Sequence, residues 1–324
     1  MSDANSKQPP APLYRDPLYD GAADPTIIYN RQDREWWIVY TQRRASIDGP
    51  GAAYGHGTDI GIASSRNGRH WCYRGILEGL RFERGHNSFW APEVIWHAGR
   101  YHMYVTYVRG VSSDWYCPGG RIEHSIVHMT SANLWDWRKE SVLPLSSERV
   151  IDACVHRLPD GRWRLWYKDE CDHAHTWAAD SPDLFHWQVA GPVITDCEHE
   201  GPNVFQWRGS YWMVVDAWKG LAVYRSPDAQ RWTRQADILG QPGKRPEDGV
   251  IGQHADVLVQ GDQPYIIYFT HPGRTREVPE RVYGVEPYET RRTVLQVARL
   301  EMQGETLVCD RDALFDFDLR PEEG

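Results

Sequence analysis

The sequence predicts an all-β protein, a five-bladed β-propeller with about four antiparallel strands in each blade. The chain of 324 residues is long enough for one large domain. Its runs of β-forming residues repeat about five times at intervals of roughly 50–65 residues, as four-stranded blades require. Four repeats close on a turn that ends in tryptophan, at Trp71, Trp137, Trp187 and Trp232. Few segments have the periodicity of an amphipathic helix.

Each repeat begins with a β-forming run, turns at a short polar segment, and continues with a strand rich in Trp and Tyr. A third strand with small residues and a turn toward a fourth strand complete it. In chain order the repeats begin at residues 21, 89, 150, 198 and 252. We therefore assign residues 1–13, which are polar and proline-rich, to a flexible N-terminal lead, and residues 14–324 to a single propeller domain.

A two-sheet β-sandwich is the alternative architecture, but it does not account for the repeat. Longer insertions interrupt the repeats at residues 43–58, 111–122, 245–253 and 274–289. Long loops in a compact β fold commonly carry function. We therefore expect these insertions to contribute to a site.

The aromatic composition favours Trp and Tyr, with 16 Trp and 17 Tyr against 7 Phe. These side chains combine a flat apolar body with a polar group, which suits β-sheet cores and also suits stacking against sugars. The net charge is -9, and the sequence has no block of basic residues. Nucleic acid is therefore not an expected partner, whereas a carbohydrate is.

Features that would place the chain in or across a membrane are missing from the sequence. It has no apolar run of membrane-spanning length, and its first residues show no signal-peptide pattern. The six cysteines are widely spread and form no CxxC pair. We therefore expect a cytoplasmic protein with reduced thiols and no membrane association. The oligomeric state stays open.

Ionisable residues occur near the start of the first strand in four of the five repeats, at Asp24, Asp152, Glu200 and His254. In a propeller these strands line the central channel, so residues at their starts can converge at one mouth. Converging carboxylates suit glycoside hydrolysis, in which a protonated group assists the leaving oxygen and an ionised one activates water. A third carboxylate nearby can raise the pKa of the acid.

At these positions the sequence resembles glycoside hydrolase family 43, a family of five-bladed propeller glycosidases. The matching strings open the five repeats in order: Ala-Asp-Pro-Thr-Ile at 23–27, Trp-Ala-Pro-Glu-Val at 90–94, Val-Ile-Asp at 150–152, Glu-Gly-Pro at 200–202 and Gly-Gln-His-Ala-Asp-Val at 252–257. Three positions depart from the family pattern, which usually has Asp at Glu93, Pro at Ala153, and no residue corresponding to Gln253.

The resemblance implies that Asp24 is the general base, Glu200 the general acid, and Asp152 the residue that tunes and orients the acid. It implies hydrolysis with inversion, with no cofactor required. His254 matches a central-channel histidine that in several relatives helps to hold a metal ion, often calcium, or a water. Residues that could contact substrate, with ordinary packing as the alternative for each, are His86, Trp90, Glu93, Trp218 and His254.

Three functions remain open at this point. The first is an exo-acting glycosidase that removes a terminal pentose or furanose sugar, as an arabinofuranosidase or xylosidase does, from short oligosaccharides or glycosides. The second is a catalytically inactive propeller that binds sugar or protein, which has no need of all three carboxylates. The third is a glycoside phosphorylase, which needs a phosphate pocket; Arg43, Arg44 and Arg84 are the basic residues that could form one.

Overall fold

A computed structural model of the chain describes residues 8–115, 122–275 and 286–322. Its strands form five sheets of four antiparallel strands. The first two sheets contain β1 (Ala22–Asn30), β2 (Glu35–Gln42), β3 (Asp59–Ser65) and β4 (Cys72–Ile76), then β5 (Ser88–His97), β6 (Arg100–Val108), β7 (His124–Ser131) and β8 (Arg138–Val142). The next two contain β9 (Val150–Arg157), β10 (Trp163–Asp169), β11 (His175–Ser181) and β12 (Gln188–Ile194), then β13 (Glu200–Trp207), β14 (Ser210–Asp216), β15 (Leu221–Ser226) and β16 (Thr233–Arg234). The fifth contains β17 (Gln253–Gln260), β18 (Gln263–Thr270), β19 (Val294–Gln303) and β20 (Thr306–Cys309).

The five sheets are the blades of a propeller. In each sheet the strands follow chain order, and the first strands β1, β5, β9, β13 and β17 contact one another in a closed ring. These inner strands therefore surround the central channel, and the all-β five-bladed prediction is confirmed. Helix is confined, within the described ranges, to a 3-10 turn (Gly51–Gly55) and to α1 (Tyr288–Arg291).

The tryptophan-closed turns have a common structure that explains why they recur. In each, a serine hydroxyl and an Asn or Asp side chain two residues later accept backbone N–H bonds, which fixes the turn locally. The next residue has a positive φ, between +58° and +74°. The indoles of Trp71, Trp137 and Trp187 donate to the carbonyl of this residue at 2.7–3.0 Å.

Hydrophobic side chains fill the five spaces between neighbouring blades. Each of five buried clusters draws its members from two adjacent sheets, for example Trp37, Val39 and Ile62 of the first blade with Met103 and Val105 of the second. Neighbouring blades therefore pack face to face through alternate residues of their strands. The hydrophobic effect stabilises the ring as a whole.

The ends of the chain close the ring between the fifth and first blades. Leu13 is buried and its backbone N–H donates to the Leu295 carbonyl at 2.8 Å. After β20 the chain returns to the first blade, where the Leu319 N–H donates to the Asn67 carbonyl at 2.9 Å. Residues 8–13 of the assigned lead thus include a buried anchor, while residues 1–7 lie outside the described residues.

Two observations concern the membrane and the cysteines. Within residues 8–115, 122–275 and 286–322, no helix has the length and apolar character to cross a bilayer. The five cysteines in these ranges are all free, whereas Cys117 lies outside the described residues.

Candidate active site

Every inner strand is interrupted by a β-bulge near its start. The antiparallel register with the second strand shifts between Ala23 and Thr26, and at the matching place in the other four blades. A bulge leaves residues unpaired and re-aims their side chains. Here it places the side chains of Asp24, Asp152 and His254 at the channel mouth, one each from the first, third and fifth blades.

The residues at the centres of these bulges are Asp24, Ala91, Asp152, Gly201 and His254. The first four have φ between +44° and +59°, a left-handed conformation that is costly for residues other than glycine. Strain of this kind concentrates at functional sites. In the fourth blade the carboxylate comes one residue earlier, at Glu200, because the bulge residue itself is glycine.

The bulges border a cavity of about 360 Å³ at the mouth of the channel. Asp24, Asp152, Glu200 and His254 all line it, so the structure brings together the three carboxylates and the histidine singled out in the sequence. The insertions contribute as expected: Tyr54 and Gly55 come from the first, Trp115 from the second, and Arg274 and Glu286 from the last.

Asp24 is held by a partly buried arginine. Nη2 of Arg43 lies 3.1 and 3.2 Å from the two Asp24 carboxylate oxygens. His254 Nδ1 lies 3.5 Å from Asp24 Oδ1. Burial alone would lower the pKa of His254, but Asp152, Asp24 and Glu200 raise it above its ordinary value. The Asp24 carboxylate therefore lies between the Arg43 guanidinium and the His254 ring.

Glu200 faces a buried lysine. Lys168 Nζ donates to Glu200 Oε2 at 3.1 Å, and the ammonium lies 5.4 Å from the centre of the Trp218 ring. Burial acts to raise the pKa of Glu200, but Lys168, Trp218 and His254 outweigh it and hold the pKa below its ordinary value. The carboxylate is thus ionised when no substrate is bound.

Asp152 and Asp216 flank Glu200. Burial and Glu200 raise the pKa of Asp152 to about 6 although His254 acts to lower it, and burial and Glu200 raise the pKa of Asp216 to about 7. Asp152 Oδ2 accepts the N–H of Gly201 at 3.1 Å, which connects it to the residue after Glu200. A charge on either aspartate opposes ionisation of Glu200.

The predicted substrate contacts divide into two groups. Trp90, Trp218 and His254 line the cavity. His86 lies outside it, exposed, with its Nε2 3.0 Å from the Gly57 carbonyl. Glu93 also lies outside, buried below the mouth, where its Oε1 accepts the Val155 N–H at 2.7 Å.

Glu93 belongs to a ring of polar side chains that joins all five blades and is called the polar ring below. The hydroxyl of the first member donates to the Pro92 carbonyl, and the other contacts, of 2.7–3.1 Å, each join one blade to the next. In blade order its members are Thr26, Glu93, Cys154, Asn203 and Asp256. Each follows the bulge centre by two residues, so the second layer of the channel is structural.

The sequence alone did not single out Lys168 or Trp115 as site residues. Lys168 lies on a second strand, in β10, and it reaches the site through the register of β9 and β10. A buried lysine inside a β-forming run is a sequence feature that could have drawn notice. Trp115 packs so closely on Gly55 that a Cβ there would lie 2.1 Å from its ring.

The residues around His254 do not fit a calcium ion. Calcium needs six to eight oxygen ligands, yet in the described ranges no three Asp, Glu, His or Cys side chains converge as a metal site. His254 Nδ1 instead lies 3.5 Å from Asp24 Oδ1. No step below passes through a metal.

Neither a model of a known protein family nor a curated protein sequence matches the chain. Solved structures do. A thermostable family-43 glycoside hydrolase superposes with a TM-score of 0.65 at 16% identity, over 96% of this chain and 100% of that one. An exo-1,5-alpha-L-arabinanase from a bovine ruminal metagenomic library gives 0.60 at 16% identity, over 92% and 99%. A GH43_1 enzyme from Xanthomonas citri complexed with xylotriose gives 0.65 at 15% identity, over 94% and 93%. The chain therefore has the five-bladed propeller fold of these family-43 glycoside hydrolase structures.

Proposed function

We propose that the protein is an inverting glycoside hydrolase that removes a terminal pentose from short oligosaccharides or glycosides. The observation that carries the proposal is the convergence of Asp24, Asp152 and Glu200 at one cavity through equivalent bulges. Three carboxylates in a buried site are costly for a protein that merely binds. Hydrolysis gives each of them a task.

The environments of the carboxylates suggest how the tasks divide. Arg43 pairs with Asp24 at 3.1 Å and fixes the position of its carboxylate, which suits a general base that removes a proton from the attacking water. Glu200, on the fourth blade, donates its proton to the leaving oxygen. Asp152 binds the Gly201 N–H and so orients the acid, while its charge favours the protonated form of Glu200.

The proposed substrate class rests on the cavity and on the names of similar structures. The cavity of about 360 Å³ suits the end of a short chain, and Trp90, Trp115 and Trp218 offer aromatic faces to a sugar. Similar structures include an exo-1,5-alpha-L-arabinanase and an alpha-L-arabinanase complexed with arabinohexaose. A neutral sugar with five carbons is the simplest substrate consistent with both.

A phosphorylase is less well supported, because the basic residues are already engaged. Of the described residues that line the cavity, Arg43 pairs with Asp24, Lys168 with Glu200, and Arg274 with Glu286. Arg44 bonds the carbonyls of the 51–56 loop, and Arg84 is exposed outside the cavity. A phosphate ion would have to displace a carboxylate.

The test is hydrolysis of nitrophenyl α-L-arabinofuranoside and nitrophenyl β-D-xyloside, with and without phosphate. We expect phosphate-independent cleavage, with Asp24→Asn and Glu200→Gln each reducing kcat/KM about 10²–10⁴-fold. On a dinitrophenyl glycoside Glu200→Gln should lose much less, since a good leaving group needs no proton, whereas the loss caused by Asp24→Asn should stay as large. Proton NMR of the first-formed sugar should show inversion.

The matched control is Glu198→Gln, which changes an exposed carboxylate two residues from Glu200. It should leave the rates unchanged. If wild type cleaves no glycoside, or if Asp24→Asn and Glu200→Gln keep wild-type rates, the proposed hydrolysis is wrong. A rate that depends on phosphate would favour the phosphorylase.

A further inference from the structure

Lys168 occupies a strand position whose residue has a different role in three other blades. In the strand register Lys168 lies opposite the residue that precedes a bulge, and Thr41, Thr106 and Asp216 have the same position in their blades. Each of these three side chains accepts a hydrogen bond, at 2.8–3.1 Å, from a backbone N–H in the bulge of the next blade. The donors are, in the same order, Ala91, Asp152 and His254. Lysine has no acceptor.

The third blade therefore has a different hydrogen-bond pattern. The Gly201 N–H, left without a partner on the second strand, goes to Asp152 at 3.1 Å. The lysine ammonium, whose side chain is 7% exposed, lies between two carboxylates, 3.1 Å from Glu200 Oε2 and 3.6 Å from Glu170 Oε1. Both carboxylates line the cavity.

We propose that Lys168 is a positioning residue shared by Glu200 and Glu170, which holds Glu200 as a carboxylate in the free protein and moves to Glu170 when a sugar binds. The movement frees Glu200 to take a proton from solvent and present it to the leaving oxygen. No covalent bond forms or breaks in this step. The inference rests on the proposed role of Glu200 as the acid.

Glu170 is built to receive the ammonium. Arg149 Nη2 lies 2.7 Å and His124 Nδ1 3.0 Å from Glu170 Oε2, which leaves Oε1 facing Lys168. Burial acts to raise the pKa of Glu170, but His124, Lys168 and Arg149 lower it to about 2. Glu170 thus stays ionised over the working pH range.

The need for such a transfer follows from the chemistry of a general acid. A carboxyl group beside a buried ammonium gives up its proton, yet Glu200 has to carry one when the bond breaks. Once the ammonium leaves, burial and neighbouring negative charges favour the protonated form. The charged and titratable groups facing this pair are Arg43, Asp152, Glu170, His199, Asp216 and His254.

The experiment compares pH profiles of Lys168→Met and Glu170→Gln. The alkaline limb of kcat/KM reports the acid in the free protein, and that of kcat reports the acid in the complex. In wild type we expect the apparent pKa of the alkaline limb of kcat to be about one unit or more higher than that of kcat/KM. Lys168→Met should raise the kcat/KM limb to meet it, and Glu170→Gln should lower the kcat limb, because the ammonium then has no second partner.

Two further variants guard the interpretation. Lys168→Arg keeps the cation and should keep a kcat/KM limb near that of wild type, and Lys219→Met removes an exposed cation beside Trp218 and should change neither limb. The proposal is overturned if Lys168→Met leaves the kcat/KM limb in place, or if both variants shift the limbs in the same direction.

A second measurement does not need activity. Carboxyl ¹³C NMR, with the Glu200 signal assigned by Glu200→Gln, should titrate at higher pH in Lys168→Met than in wild type, and higher in wild type with saturating arabinose or xylose than without. If wild type cleaves no glycoside but these shifts occur, the ion-pair transfer stands and the hydrolase proposal fails. If cleavage occurs and the shifts do not, the transfer is wrong.

Discussion

Gly201 joins the acid to the rest of the site. It is the bulge residue of the fourth blade, with φ of +57°, and a Cβ on it would lie 2.6 Å from the ring of His254. His254 in turn is paired with Asp24 at 3.5 Å. Because glycine has a hydrogen atom where alanine has a methyl group, the fourth and fifth blades can approach closely enough for acid and base to share a cavity.

Gly201→Ala should damage both stability and activity. The left-handed conformation costs alanine about 1–2 kcal/mol, and the methyl group must also displace the His254 ring. We expect kcat/KM to fall at least about tenfold through loss of geometry around Asp24. Chemical denaturation and initial rates measure the two effects.

Gly209→Ala is the matched control for this prediction. Gly209 has φ of +73° in the turn between β13 and β14, and a Cβ there would meet nothing within 4 Å. It should lower the free energy of unfolding by the conformational cost alone, about 1–2 kcal/mol, and leave the rates unchanged. Equal activity in the two variants would mean that the contact with His254 has no role in the site.

The convergence of the carboxylates could be predicted from sequence, whereas the task of Lys168 could not. Asp24, Asp152 and Glu200 open repeats, so their chain positions predicted that they would meet. Lys168 lies inside a strand, and its meaning depends on a comparison with Thr41 across blades that requires the register. Glu93 opens a repeat as well, yet it lies two residues beyond the bulge centre and is buried in the polar ring.

The inner strand is the element that separates chemistry from structure. In the first, third and fifth blades the residue at the bulge centre lines the cavity, and in every blade the residue two positions later enters the polar ring. The prediction of converging ionisable groups was right at the level of the strand. What sequence could not supply is the depth of each group in the channel, because an extra bulge residue changes the side to which the next residues point.

Glu93 makes the polar ring sensitive to pH. Burial and the neighbouring Asp256 raise its pKa to about 8, above the 4.5 that it has in the unfolded chain. The proton is therefore bound more tightly in the folded state. The stability that this contributes is fully present below pH 4.5 and is lost as the pH rises toward 8.

Glu93→Gln should remove this dependence. The amide oxygen can still accept the Val155 N–H, but the side chain cannot ionise. Between pH 5 and 8 the free energy of unfolding of wild type should fall relative to that of the variant, by up to about 1.4 kcal/mol per pH unit. Glu305→Gln, whose side chain is 91% exposed, is the control and should follow wild type. Parallel curves for Glu93→Gln and wild type would contradict the raised pKa.

At the scale of the whole molecule, the propeller is closed by chain ends that have no counterpart in the repeats. Each blade is a continuous piece of chain, so among the described residues no sheet contains strands from both ends. The gap between the fifth and first blades is filled instead by Leu13, Tyr14 and the segment after β20. Repeats in the sequence predicted the blades, but a short tail without strand periodicity gave no indication that it closes the ring.

The tail offers a direct test of this closure, because its aromatic residues alternate with exposed ones. Phe317 is fully buried against both blades, and Leu314 is 69% exposed. Phe317→Ala should lower the free energy of unfolding by about 3–5 kcal/mol through loss of apolar contact and the cavity that it leaves. Leu314→Ala should change it by less than about 0.5 kcal/mol. Because the first blade carries Asp24 and the fifth carries His254, loss of closure should also reduce activity below the unfolding midpoint. Equal stability of the two variants in urea would show that the tail does not hold the ring closed.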